Sequence, residues 1–240
     1  MTYIEGFVCP VPTASKNEYH RHASEAAPIF KEFGVTRMVE SWGDDIPKGK
    51  LTDFPGAVQA TDDETVVFSW FEYPDKATRD AANARMMSDP RMKAMGESMP
   101  FDGKRMIVGG FDTIVDERGE GTPGYTDGYV VPVPTVKKDA YCEMAREMAG
   151  KFKELGAVRV VEAWSDDVPD GKVTDFKRAV KAEDGESVVY SYVEWPDKET
   201  RDAAWAKMMA DTSMEGKEMP FDGKRMFWGG FRPILDTAGR

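Results

Sequence analysis

The chain has 240 residues, is 41% hydrophobic and 31% charged, and carries a net charge of −11 with two cysteines and two histidines. So acidic a chain has no cluster of Lys and Arg to set against phosphates, which argues against a nucleic-acid partner, and no apolar run approaches the ~20 residues of a membrane span. Two cysteines supply neither a disulfide framework nor a thiolate metal site, so the expectation is a cytoplasmic globular protein with no metal and no cofactor.

Tyr3 to Val8 alternates and is rich in aromatic and β-branched types, which predicts a strand ended by Pro10 and Pro12. Ser15 with Glu18 three residues on reads as a capping box. The helix it opens runs to Phe33, with Tyr19, Ala23, Ala26, Phe30 and Phe33 at helical spacing, Pro28 as a weak point and Gly34 as a left-handed cap. A second strand is expected from Val35 to Trp42, a loop to Pro55, a short strand from Ala57 to Ala60 and a longer one from Thr65 to Tyr73. Asp75 caps the next helix, which reaches about Asp89. The turn Met99-Pro100-Phe101-Asp102-Gly103, with Gly103 at positive φ, leads into a last strand from Arg105 to Val115.

The pattern then begins again. Tyr3 to Asp89 returns as Tyr125 to Asp211 at a constant shift that carries Gly6 to Gly128, with somewhat more than half of the positions identical. The string MPFDGKRM recurs letter for letter at 99–106 and 219–226. The period is domain-sized, so the chain divides into a repeat at 1–118, a glycine-rich linker at 119–124 and a repeat at 125–240. Each repeat reads β-α-β-β-α-β with an extra short strand, which is the ferredoxin-like pattern. Such a sheet carries helices on one face only and must cover the other. The expected fold class is therefore α+β: two ferredoxin-like domains packed sheet to sheet as a pseudo-twofold dimeric α+β barrel within one chain.

The strand faces indicate what that contact contains. Phe68, Trp70 and Glu72 share a face, matched by Tyr190, Tyr192 and Glu194; Glu40 and Trp42 share one, matched by Glu162 and Trp164; Glu5 and Phe7 match Asp127 and Tyr129. These aromatic-and-acidic faces are expected to turn towards each other, either as plain core with acids at the rim or as a pocket with convergent carboxylates. On the pocket reading, Glu40 and Glu162 are the candidate catalytic carboxylates, since a carboxylate beside Trp42 or Trp164 has a raised pKa. The ligand contacts are then Trp42, Phe68, Trp70, Glu72, Trp164, Tyr190, Tyr192 and Glu194. One function class is a small-molecule-binding barrel with cofactor-independent chemistry on a small organic substrate; the other is a structural or protein-interaction module. An enclosed cavity reaching Glu40 or Glu162 supports the first, while a filled barrel would sink it.

Other constellations carry less. Cys9 aligns with Val131 and Cys142 with His20, so neither thiol belongs to machinery shared by the repeats. His20 and His22 lie on a polar stretch and read as surface residues. The acids Glu40, Asp44, Asp45 and Asp53 lack the spacing of a calcium loop, and Lys50 or Lys172 is the expected counter-charge. Gly109-Gly110 and Gly229-Gly230 inside a strand point to a bulge or close packing. Asn83 becomes Trp205 and Ile107-Val108 becomes Phe227-Trp228, so either one pocket is filled or these sites only pack.

The run Tyr3-Ile4-Glu5-Gly6-Phe7-Val8 with Pro10-Val11-Pro12, then Glu40, Asp44-Asp45, Gly49-Lys50, the string from Glu64 to Trp70, and MPFDGKRM followed by Gly109-Gly110-Phe111 together resemble the YbaA-like family. The resemblance covers both halves nearly end to end. It implies the dimeric α+β-barrel superfamily and no assigned activity, in single-domain bacterial proteins that close the barrel as homodimers. This chain resembles that dimer written in one polypeptide, itself a monomer or a further homodimer.

Overall fold

The computed structural model describes residues 2–211, Gly216 and 218–238. Among these the strands are β1 (Tyr3–Pro12), β2 (Arg37–Asp45), β3 (Glu64–Tyr73), β4 (Ile107–Arg118), β5 (Tyr125–Pro134), β6 (Arg159–Asp167), β7 (Glu186–Trp195) and β8 (Phe227–Asp236). The helices are α1 (Lys16–Glu32), α2 (Phe54–Ala57), α3 (Lys76–Ser88), α4 (Pro90–Glu97), α5 (Lys138–Glu154), α6 (Phe176–Ala179) and α7 (Lys198–Ala210). No helix among the described residues is long and apolar enough to cross a membrane.

The strands form one closed antiparallel barrel in the order β1-β3-β2-β8-β5-β7-β6-β4. This corrects the sheet-to-sheet expectation. Each half supplies four neighbouring strands, but the halves join edge to edge, through β2–β8 and β4–β6, rather than face to face. The reason lies in the backbone: joining the edges pairs N–H and C=O groups that two stacked sheets would leave open.

The interior is filled. Phe68 stacks on Tyr190 with ring centroids 4.6 Å apart, and Trp70 on Tyr192 at 4.1 Å. Gly6 and Gly128 lie under these rings; a Cβ on Gly6 would come within 2.8 Å of Tyr190, and one on Gly128 within 2.8 Å of Phe68. At one end α2 and α6 insert Phe54 and Phe176, Phe54 lying edge-on to Phe68, Phe227 and Phe231. At the other end Arg37 holds Glu194 (2.5 Å), Glu72 (3.3 Å) and Asp236 (2.7 Å), while Arg159 holds Glu72 (2.6 Å) and Asp116 (2.7 Å). Most of these pairs link one half to the other.

Local chemistry departs from expectation at a few points. The segment expected as the strand Ala57–Ala60 belongs instead to the α2 turn and its exit, because the Asp53 side chain accepts from the Gly56 N–H (2.7 Å) and Pro55 suits a helical first turn. Ser15 makes no capping bond; α1 grows out of a 3-10 turn at Thr13–Ser15 and runs through Pro28. Gly34 has the left-handed φ expected of it (107°), as does Gly156 (103°), but Gly103 does not. There Asp102 tightens the turn by accepting from the Lys104 N–H (3.0 Å). The second glycine of each strand pair gives way to a tyrosine: a Cβ on Gly110 would lie 2.3 Å from the Tyr3 hydroxyl oxygen, next to a bulge between Gly110 and Phe111, and one on Gly230 2.4 Å from that of Tyr125.

Candidate functional site

Since Gly6, Phe68 and Trp70 point inward, their strand neighbours Glu5, Phe7, Cys9, Ser69 and Phe71 point outward, beneath the helices. Glu40, opposite Ser69, points outward too. The expectation that Glu40, Trp42, Glu5 and Phe7 share the barrel interior with the aromatics is thereby corrected. Period-two spacing groups residues of one strand into faces, but it does not say which face each strand turns inward.

A cavity of about 480 Å³ lies between the outer face of β1–β4 and helices α1, α3 and α4. Six methionines (Met38, Met86, Met92, Met95, Met99 and Met106) border it together with Phe7, Phe30, Phe71 and Phe101. Methionine side chains are flexible and polarisable, so such a wall adapts to the shape of an apolar guest. Glu40, 5% exposed, sits on the cavity wall. Tyr19 Oη donates to its Oε2 at 2.6 Å, and Ser69 Oγ donates to the same oxygen. Burial raises the Glu40 pKa to about 7, the two hydrogen bonds holding it back from going higher. Cys9 Sγ lies 3.9 Å from Tyr19 Oη, and burial pushes its thiol far up, so it is no ready nucleophile. A second polar pole borders the same cavity. Glu5 accepts from Arg79 Nε (2.8 Å), Asn83 Nδ2 (3.0 Å) and Tyr73 Oη (3.3 Å), and Arg79 is anchored by Asp167 of the other half (2.5 Å).

The second half repeats only part of this. A cavity of about 340 Å³ lies between the barrel wall and helices α5 and α7, and Glu162 borders it. Tyr141 Oη donates to Glu162 at 2.8 Å, and burial again raises the carboxyl pKa to about 7. The counterpart of Glu5 is Asp127, fully buried, accepting from Arg201 Nε (2.8 Å), Trp205 Nε1 (2.9 Å) and Trp195 Nε1 (3.0 Å). Trp205 stacks on Trp228 at 5.4 Å and closes this end.

Of the residues expected from the sequence, Glu40 and Glu162 border the two cavities. Phe68, Trp70, Tyr190 and Tyr192 are stacked inside the barrel, and Glu72 and Glu194 are held by Arg37 and Arg159. Trp42 and Trp164 lie outside the barrel, edge-on to Tyr19 (6.4 Å) and Tyr141 (6.1 Å). His22 is half-buried against the first cavity rather than a plain surface residue, and burial lowers its pKa. In the acidic loop, Asp44 accepts from Tyr125 (2.9 Å) and Arg232 (2.8 Å), and Asp45 pairs with Arg201 (2.7 Å); Arg232 and Arg201, not Lys50 or Lys172, supply the counter-charge. Tyr19 and Ser69 escaped the sequence reading as site residues. Their recurrence as Tyr141 and Ser191 was the available signal.

The pattern of a family described as "Protein of unknown function (DUF1428)" matches residues 2–103 and again 124–223. The chain belongs to the DUF1428 family. "Uncharacterized protein YbaA" of Escherichia coli (strain K12) and its counterpart in Shigella flexneri are each 62% identical to this DUF1428 chain over 117 residues, 49% of this chain and 100% of theirs. Among solved structures, a candidate monooxygenase from Fusobacterium nucleatum superposes with a TM-score of 0.60 at 10% identity, covering 98% of this chain and 93% of that one. An anthrone oxidase-like protein does so with a TM-score of 0.55 at 11% identity, covering 100% and 94%. A candidate monooxygenase from Lactobacillus acidophilus gives 0.55 at 10%, covering 98% and 95%. At such identities the likeness is one of fold: a two-domain, pseudo-dimeric α+β barrel.

Proposed function

We propose that this DUF1428 chain binds a small, largely apolar organic molecule in the first-half cavity and exchanges a proton with it through Glu40, without a cofactor. The observation that carries this reading is Glu40 itself. It is a buried carboxyl on an apolar cavity wall, its pKa raised to about 7, so it both takes and returns a proton near neutrality. Tyr19 and Ser69 both donate to Oε2, and among the described residues none donates to Oε1, which leaves that oxygen for the substrate. The reaction class is abstraction of an acidic O–H or C–H proton, with Tyr19 and Ser69 positioning the base. The solved neighbours named as candidate monooxygenases and as oxidase-like support a barrel that handles small molecules. The repeats at 1–118 and 125–240, with 119–124 between them, are the two units of this reading, and Glu162 is the corresponding carboxyl of the second.

A thermal-shift screen of small organic molecules, repeated on Glu40→Gln and Glu162→Gln, tests it. Ligands that stabilise the parent are expected to lose their effect in Glu40→Gln. Equal shifts in parent and both variants would dismiss the carboxylates. A second reading, a structural or protein-interaction module, draws on the filled barrel and on Met87 and Met209, which are 91% and 85% exposed at equivalent positions of α3 and α7. A screen without any stabilising molecule, together with loss of self-association in Met87→Lys, would favour it.

A further inference from the structure

We infer that the two cavities are no longer interchangeable: one ligand binds per chain, in the first half, and Asn83 and Val108 select a neutral molecule carrying a hydroxyl or amide group. This rests on the reading that the first-half cavity takes a ligand, and adds where its polar end goes. Glu5 lies opposite Phe71 and Glu40 opposite Ser69, with β3 between their strands. Strand spacing then separates their Cα atoms by about 12 Å, and both residues border the cavity outside the barrel, so the two poles lie within the span of a two-ring molecule.

At the far pole the hydrogen bonds are only partly used. Asn83 gives Nδ2 to Glu5 and Arg79 uses Nε and Nη1, while among the described residues nothing bonds to Asn83 Oδ1 or accepts from Arg79 Nη2. An acceptor and a donor therefore stand on successive turns of α3 at the cavity wall, the pairing that a hydroxyl or amide satisfies. Charge decides against an acid. Glu5, Asp80 and Asp167 surround Arg79, so a carboxylate or phosphate brought here meets acidic groups in excess. In the second half Trp205 replaces Asn83 and Trp228 replaces Val108. The Arg201 guanidinium lies over the Trp228 ring at 5.6 Å, and its Nη2 is buried with no hydrogen-bond partner among the described residues. The donor that Arg79 offers the first cavity is thus shut away in the second.

Fluorescence titration of the full chain with 2-naphthol, a neutral two-ring hydroxyl compound, and with 2-naphthoate, its acidic counterpart, tests the assignment. The expected result is one 2-naphthol per chain, with 2-naphthoate at least about tenfold weaker. Asn83→Trp and Val108→Trp should each weaken 2-naphthol by about tenfold or more, with Asn83→Leu as a milder check should a tryptophan disturb folding. Opening the other side with Trp205→Asn and Trp228→Val together should raise the stoichiometry towards two. Two equivalents in the parent, equal binding of the acid, or unchanged affinity in both Asn83 variants would overturn the inference and leave the cavity reading standing. No binding of either compound to the parent would overturn both.

Discussion

At the scale of single residues, the informative ones are buried and charged. Glu40 and Glu162 have pKa values raised from 4.5 to about 7, so the folded chain holds more protons than the unfolded chain between those pH values. Their contribution to stability therefore falls as pH rises through that window and levels off above it. Glu40→Gln removes one such cost, so the stability of this variant relative to the parent should improve between pH 4.5 and 7, by on the order of 3 kcal/mol. Urea unfolding at pH 5 and at pH 8 measures this, and a pH-independent difference would refute it. Tyr19→Phe deletes a hydrogen bond to the ionised form, so the pKa that Glu40 shows in any pH–rate or pH–binding profile should move upward. Arg37 is the opposite case: it is 8% exposed and neutralises a Glu194 that is 1% exposed. Arg37→Ala strands that carboxylate and should cost about 3–5 kcal/mol in unfolding experiments. Glu40 and Glu162, the carboxylates the sequence singled out, each border a cavity, but the neighbour it invoked matters less than expected. Helix α1 and Tyr19, rather than Trp42 alone, keep water from Glu40, and a partner that far along the chain leaves no local mark.

At the scale of elements, strands and long helices were legible because their apolar spacing is set by their own period. Short elements were not. The α2 turn depends on Asp53 and Pro55 rather than on periodicity, and α4 follows α3 across the single junction Asp89-Pro90, where the Asp89 side chain accepts from the Arg91 N–H at 2.8 Å. Two glycines make contrasting tests of how strands and helices use the residue. Gly6→Ala drives a methyl into the Tyr190 ring and should cost about 1–3 kcal/mol, through overpacking of the barrel interior. Gly150 lies inside α5 with nothing within 4 Å of a Cβ placed there, so Gly150→Ala should stabilise by about 0.5–1 kcal/mol. Thermal melts of the pair should diverge in sign.

At the scale of the whole molecule, the repeat announced a pseudo-dimer but not how its halves join. Edge-to-edge closure needs long-range pairs, such as Val39 with Asp236, that no local pattern encodes. The symmetry still yields a test. Arg37 and Glu72 are the counterparts of Arg159 and Glu194, so two copies of the first repeat carry every charge the barrel end requires. A fragment of residues 1–118 should therefore associate as a dimer in sedimentation experiments, and a folded monomer would contradict the closure described. The same closure governs the order of events at the ribosome. Strand β2 is synthesised well before its outer partner β8, which begins at Phe227. Until then the β2 edge of the nascent first half stays unsatisfied, a template another nascent chain would also fit. Dilute refolding should favour closure within one chain, and crowded refolding should produce chains that have exchanged halves.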